Sequence, residues 1–245
     1  MLSKMMTSAL RATAALALTL GVSTATASAQ TAEGYWQGVQ KSGTLRCGAA
    51  VAPPYVMRDP ASGEYSGFFA DLCREFAEVL QVKPEFVDTT WDNIVAGLQA
   101  GKWDLSLALN RTPARAMAVQ FSIPAMEYQI SLAYNKDNPK IPAGATSVAD
   151  IDKADVTLAV VSRRADVLVD ASDTNQLFTQ SNPDWAVAMN PTPALAKQGV
   201  AFGLPHQLSA ADVEVVNIFL EERVATGHVE ELIRKAVDQV LKASN

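Results

Sequence analysis

Trp103-Asp104-Leu105-Ser106-Leu107-Ala108-Leu109-Asn110-Arg111-Thr112-Pro113-Ala114-Arg115 is the most informative run of the chain. Trp103, Leu105, Leu107 and Leu109 alternate strictly with Asp104, Ser106 and Ala108, the period of a β-strand with two unequal faces. Directly behind the strand, Thr112 suits a helix N-cap, Pro113 suits the first helical position, and Arg115 falls in the first turn. A cation there opposes the helix dipole, so something negative should sit nearby. Backbone N–H groups, a hydroxyl and a guanidinium converging at the end of a strand suit a carboxylate, which arginine grips as a two-pronged fork. The plainer alternative is that Arg115 pairs with a surface acid of the same chain.

Outward from this run the chain alternates short apolar strands with helical patterns, which predicts an α/β sheet. Leu45 to Ala49 reads as a strand, ended by Pro53-Pro54, and Pro84 to Asp88 as another. Phe69, Leu72, Cys73, Phe76, Val79 and Leu80 recur at three- and four-residue spacing and predict a helix over Gly67 to Gln81. Trp91, Ile94, Val95 and Leu98 mark a second helix, with Gly101 placed to end it in the left-handed conformation. Further on, Ser209 and Asp212 form a pair resembling a capping box ahead of Val213, Val216, Phe219 and Leu220, and after Gly227 comes a final amphipathic helix. The stretch Lys136 to Ala145, with Asn138-Pro139 and Pro142, is the clearest break and a candidate domain crossing.

Composition narrows the function. The chain has 245 residues, 49% of them apolar and 19% charged, enough to bury a sizeable core in one large domain or two small ones. A formal charge of −6 does not suit a protein that must neutralise phosphates, so nucleic-acid binding is disfavoured. No HExxH, P-loop or C-x-x-C run is present, and with two histidines neither metal nor nucleotide chemistry has support, so no cofactor is expected. Residues 1–29 read as a secretory signal peptide: Lys4 and Arg11 make the positive region, Ala12 to Val22 an apolar run too short to span a bilayer, and Ala27-Ser28-Ala29 the cleavage site. The product is then expected outside the cytoplasm, in the periplasm. There Cys47 and Cys73 allow a disulfide, with two buried free thiols as the alternative.

Beyond these readings the chain resembles the extracytoplasmic solute-binding proteins for amino acids, family 3, the receptors of ABC importers. The resemblance is carried by Gly43-Thr44-Leu45-Arg46-Cys47-Gly48 with Pro53-Pro54-Tyr55, and by Gly67-Phe68-Phe69-Ala70-Asp71-Leu72. It continues through Leu98-Gln99-Ala100-Gly101-Lys102-Trp103-Asp104, Thr112-Pro113-Ala114-Arg115 and Phe121-Ser122-Ile123-Pro124. It implies the two-lobed type II periplasmic binding fold, with lobe 1 over residues 34–132 plus 203–245 and lobe 2 over 133–202. It also implies a monomer that takes an amino-acid-like ligand to an ABC permease in the inner membrane, without being an enzyme. On that pattern Arg115 holds the ligand's α-carboxylate, Ala108, Asn110 and Thr112 line the cleft, and Tyr55, Trp91 and Phe68 wall the side-chain pocket. Asp170, with Asp173 as the alternative, falls to the α-ammonium. Alternatives are a periplasmic dehydratase on the same fold, with Glu64 or Asp88 as general acid, and a degenerate or sensory receptor that no longer transports.

One departure from the family pattern stands out. Only three residues, Ser162-Arg163-Arg164, separate the apolar runs Val156 to Val161 and Ala165 to Val169, too few for a parallel crossover. Lobe 2 is therefore expected to be truncated, with the two runs forming an antiparallel hairpin, separating, or losing strand character.

Overall fold

β5 (Leu105–Asn110) lies in the middle of a nine-stranded mixed sheet rather than at an edge. The computed structural model describes residues 34–152, 156–159 and 166–243. The expected signal peptide and the Ser162-Arg163-Arg164 connection lie outside the described residues. Ahead of β5 come α1 (Tyr35–Ser42), β1 (Thr44–Ala49), β2 (Met57–Arg58), β3 (Tyr65–Ser66), α2 (Phe68–Val79), β4 (Lys83–Asp88) and α3 (Ile94–Gln99). After it come α4 (Pro113–Ala116), β6 (Gln120–Phe121), β7 (Met126–Asn135), α5 (Val148–Asp152), β8 (Leu158–Ala159), β9 (Val167–Ala171) and α6 (Ser172–Ser181). β10 (Ala186–Met189), β11 (Lys197–Leu204), α7 (Ala210–Ala225) and α8 (His228–Ala243) complete the chain. The sheet runs β4-β1-β5-β11-β7-β9-β8, with β10 added to β7 and β6 to β11.

The predicted strands over Leu45 to Ala49 and Pro84 to Asp88 and the helix over Gly67 to Gln81 form within two residues of their expected ends, whereas the second helix begins at Ile94 and leaves Trp91 in the turn before it. Gly101 closes the α3 turn at φ 67°. Ser209 caps α7, its Oγ accepting from the Asp212 N–H at 3.1 Å and donating to the Asp212 carboxylate at 2.6 Å.

The unequal faces expected of β5 are not observed: Leu105 to Leu109 are all buried. The strand is covered on both sides. Leu105 and Leu107 pack into the main core with Phe69, Phe76, Phe202 and Phe219, whereas Leu109 packs on the other side with Ile94, Leu98 and Trp103. The polar alternates are buried but satisfied, as the interior requires. Ser106 Oγ accepts from Trp103 Nε1 at 2.7 Å and donates to the Ile94 carbonyl at 3.1 Å. Asp104 takes a two-pronged grip from Arg46, at 2.7 and 3.1 Å, and a third bond from the Arg46 N–H at 2.8 Å.

The change of side within β5 has a local cause. Ala108 has φ 56°, and the four residues Ser106 to Leu109 of β5 face the three residues Ala201 to Gly203 of β11. This is a β-bulge, one residue more on β5 than on β11, with its extra residue in the left-handed region, a conformation costing a non-glycine residue about 1–2 kcal/mol. A bulge re-aims the residues after it, here Asn110-Arg111-Thr112.

β7 ties the two halves of the sheet together. Its first residues, Met126 to Gln129, pair with β11, and Ile130 to Tyr134 pair with β9 on the other flank. The half around β9 has a small core of Leu132, Ile151, Val167 and Met189 under α5 and α6. β8 and β9 pair in parallel, Leu158 opposite Val167 and Ala159 opposite Leu168, which corrects the hairpin, separation and loss of strand expected from the short connection. The dozen-residue minimum applies to strands of full length with a helix between them. Here β8 is only two residues long, so the chain must return by a few ångströms, and the seven residues 160–166 can span up to about 23 Å. Asp166 secures the junction: its N–H donates to Thr157 O at 3.0 Å, and its carboxylate accepts from Thr157 N and Lys140 Nζ.

The smaller core makes a testable difference. The amides of β9 should exchange with solvent about tenfold or more faster than those of β5, because local opening near a small core needs less free energy. Hydrogen exchange read by mass spectrometry checks this, and equal protection of Val167–Ala171 and Leu105–Asn110 would show that β9 opens only with the whole molecule.

The two cysteines, left open by the sequence, are joined. Cys47 on β1 and Cys73 on α2 form a disulfide, and both are fully buried in the main core.

Candidate functional site

β1, β4 and β5 are parallel, so their C-terminal ends and the loops beyond them lie along one edge of the sheet. Val51 to Tyr55 come after β1, Trp91 after β4 and Asn110 to Arg115 at the end of β5. In open sheets of this kind ligands bind at that edge. Thr112 caps α4 as expected, its Oγ1 accepting from the Arg115 N–H at 3.2 Å, with Pro113 in the first helical turn. The Arg115 guanidinium donates Nη1–H to the Asn110 carbonyl at 3.2 Å. Among the described residues it has no ion pair, so the surface acid that would have explained it plainly is not found there.

From the other half of the sheet come Tyr128 on β7, Gln198 on β11, Asp170 on β9 and Asp173 in the first turn of α6. Tyr128 Oη donates to Gln198 Oε1 at 2.9 Å. Its pKa is raised, first by burial and then by the negative charges of Asp173 and Asp170, against the lowering effects of an Asn110 hydrogen bond and the Arg115 charge. The Tyr55 pKa is pushed well above the ordinary tyrosine range, chiefly by burial and then by Asp173, with smaller contributions from Tyr128 and Asp170. Asp170 is half-buried and also raised, by burial and by Asp173, although its Oδ1 accepts from the Ala171 N–H at 2.7 Å. Tyr55, Tyr128, Asp170 and Asp173 therefore lie near one another, with Asn110 and Arg115 near Tyr128. The Tyr55 hydroxyl lies beside the Asp173 carboxylate, whose charge and hydrogen bonding both raise its pKa, and Tyr55 Oη and Asp173 Oδ1 are buried.

Of the residues expected at the site, Asn110, Thr112 and Arg115 lie together at the end of β5, and Tyr55 and Asp170 lie near Tyr128 beside them. Trp91 lies at the same sheet edge, 39% exposed, with Nε1 donating to the Val51 carbonyl at 3.2 Å. Two expectations change. Phe68 is fully buried and stands edge-on behind the Tyr55 ring at 5.4 Å, so it supports the wall and cannot form it. Ala108 is 3% exposed, and what it gives the site is the bulge that aims Asn110. As for the acids considered for a dehydratase, Glu64 is exposed next to β3, and Asp88 accepts from Tyr65 Oη at 2.5 Å. Tyr128 and Gln198 have no local sequence signal. They reach the site because β7 and β11 pair across it, Gln198 opposite Tyr128 in register.

Among the described residues no group of three or more His, Cys, Asp or Glu side chains is set to hold a metal, and no helix is long and apolar enough to cross a membrane.

A probable amino-acid ABC transporter periplasmic-binding protein of Sinorhizobium fredii is 34% identical over 133 residues, 53% of this chain and 43% of that protein. The octopine-binding periplasmic protein of Rhizobium meliloti is 33% identical over 100 residues, 40% of this chain and 33% of that protein. The chain thus matches less than half the length of these curated relatives. Among solved structures, an ancestral cationic amino acid solute-binding protein superposes with a TM-score of 0.70 at 28% identity, covering 82% of this chain and 99% of that one. An ABC-transporter binding component of Wolinella succinogenes, solved with lysine, gives 0.69 at 23% identity over 79% of this chain and 95% of that one, which speaks for the fold alone. That fold is the type II periplasmic binding fold. The sequence profile of the bacterial extracellular solute-binding proteins, family 3, matches residues 45–242, nearly the whole of the described protein, and the chain belongs to that family.

Proposed function

We propose that the protein captures an amino acid or similar small carboxylate-bearing solute in the periplasm, after export by residues 1–29, and delivers it to an ABC permease in the inner membrane. The carrying observation is the Arg115 guanidinium, held at the sheet edge by one carbonyl bond and with no ion pair among the described residues. In this reading residues 34–132 plus 203–245 form one lobe and 133–202 the other. Each lobe presents its own groups to the ligand, Arg115 and Tyr55 from the first, Asp170 and Asp173 from the second. A ligand bridging both favours the closed arrangement, which the permease then recognises. The protein acts as a monomer, and turnover forms no part of this function.

A ligand that binds only the folded protein raises its unfolding temperature. In a thermal-shift screen against the common amino acids at about one hundred times Kd, the right ligand should add about 2.7 kcal/mol of stability. Silence against every amino acid would count against the reading.

A second reading, a dehydratase on the same fold, draws on Asp170, a half-buried carboxyl group that burial and Asp173 raise above the ordinary carboxylate range. Release of water from a prephenate-like substrate, lost in Asp170→Asn, would mark it. An ancestral cyclohexadienyl dehydratase superposes at a TM-score of 0.61 and 25% identity.

A further inference from the structure

We infer that Tyr65 and Asp88 form a latch that holds the two loops carrying Tyr55 and Trp91 in the arrangement that binds. The inference rests on the proposed binding function and adds a pair of positioning residues to it.

The first loop, residues 50–66, needs an outside restraint. Apart from one bridge between Ala52 and Val56, its regular structure is the hairpin of β2 and β3, two residues a strand, which forms a sheet of its own beside the main one. A two-stranded hairpin is marginal by itself in water, so side chains must set its place. Tyr55 depends on that place. Its N–H donates to the Ala52 carbonyl at 2.8 Å within the loop, and its carbonyl accepts from the Phe69 N–H at 3.0 Å. Between them the backbone is in direct contact with Gly67: a Cβ there would stand 2.6 Å from the Tyr55 carbonyl oxygen, and the φ of 97° suits glycine. Whatever fixes the chain just ahead of Gly67 therefore fixes Tyr55.

Tyr65, two residues ahead and 7% exposed, is what fixes it. Its ring stacks on Phe86 of β4, the centroids 5.3 Å apart and the planes 20° from parallel. Its Oη donates to Asp88 Oδ1, at the end of the same strand, at 2.5 Å. Arg74 of α2 closes the other side, donating Nη2–H to the Tyr65 carbonyl while its Cζ lies 4.8 Å over the Phe86 ring. A stacked ring sets a distance and can still slide, whereas a hydrogen bond to a carboxylate at its far end adds direction. Burial and the Asp88 bond push the Tyr65 pKa up to about 12, so the hydroxyl stays a donor at neutral pH.

The second loop is reached through Asp88. Three residues beyond it, Trp91 donates Nε1–H to the Val51 carbonyl at 3.2 Å, back on the first loop. The loops are thus joined twice, at the hairpin by Tyr65 and Asp88 and next to β1 by Trp91 and Val51. Asp88 itself is exposed, and exposed side chains add little to global stability. What its bond restrains is the loop.

With the latch removed, only the fraction of molecules with Tyr55 and Trp91 in place can bind, so affinity falls by one factor for every ligand. The test is calorimetric titration of the full protein with glutamine, arginine and glutamate, beside hydrogen exchange of the unliganded protein. Tyr65→Phe, which keeps the ring, and Asp88→Ala should each weaken every amino acid that binds by about threefold or more, by the same factor for each. The amides of Ala52, Tyr55 and Val56 should exchange about tenfold faster, while those of Leu105 to Asn110 change by less than about twofold. Asp88→Asn keeps an acceptor oxygen and should recover most of the loss, and Tyr65→Phe combined with Asp88→Ala should do no more than either alone. Unchanged affinity in both single variants would overturn the latch and leave amino-acid capture standing. A loss confined to one of the amino acids would also overturn it, because that marks a contact with the ligand, as would a loss without faster exchange in the first loop. If none of the three binds the unaltered protein, the proposed function fails, and the exchange rates alone decide whether the bond holds the loop.

Discussion

Arg115→Ala should abolish amino-acid binding while leaving the unfolding temperature of the unliganded protein nearly unchanged. The guanidinium is half-buried, and its one hydrogen-bond partner among the described residues is the Asn110 carbonyl, on a residue that the pairing of β5 with β11 holds in place without it. The Thr112 cap on α4 uses the Arg115 backbone N–H, which alanine retains. The stability change should therefore stay within about 0.5 kcal/mol. Binding is another matter, because removing one partner of a charged, hydrogen-bonded pair costs about 2–5 kcal/mol, roughly thirtyfold to several thousandfold in Kd. Arg115→Lys should recover only part of that, since an ammonium cannot offer the two parallel N–H groups that fit a carboxylate. Titration calorimetry with the best ligand from the thermal screen, run beside thermal unfolding of the unliganded variants, separates the two effects. Undiminished binding by Arg115→Ala would remove the centre of the proposed function.

Arg115 is legible in the sequence because its chemistry is confined to six residues. An N-cap, a proline suited to the first helical turn and a cation placed against the helix dipole can all be read without knowing what lies across the cleft. The partners cannot be read that way. Tyr128 and Gln198 meet because β7 and β11 pair antiparallel, a match between residues 70 positions apart that no local pattern encodes. Nor can Asp170 and Asp173 be told apart locally, since both fall where β9 passes into α6. β5 misleads for a related reason. Its alternation is real, but the bulge at Ala108 exchanges the faces halfway along, and helices on both sides bury them. A period of two shows that a strand exists, whereas the number of layers covering it is settled by elements far away in the chain. The β8–β9 pairing misleads in the opposite direction. The crossover rule holds for full strands, and a strand of two residues leaves only a short return path.

Replacing both Cys47 and Cys73 by alanine should destabilise the protein by about 3–5 kcal/mol and lower its unfolding temperature by about 10 °C, the second-largest effect expected here. The cross-link closes a loop of 26 residues from β1 through the β2–β3 hairpin into α2. By loop-closure entropy alone a loop of that size contributes roughly 3 kcal/mol, and losing two buried sulfurs from a close-packed core adds the rest. Both cysteines have zero exposure, so no thiol should become accessible to a reductant until the main core opens. Cys47 stands between Phe86 on β4 and Leu105 on β5 in the sheet, and β1 leads directly into the loop carrying Tyr55. Loosening β1 therefore acts on the site as well as on the core. The variant should bind its ligand a few-fold more weakly at 25 °C, with the loss growing as temperature rises, whereas Arg115→Ala loses binding at every temperature. A fall of less than about 3 °C in unfolding temperature would mean that the packing of Phe69, Phe76 and Phe202 holds α2 on the sheet without the covalent link.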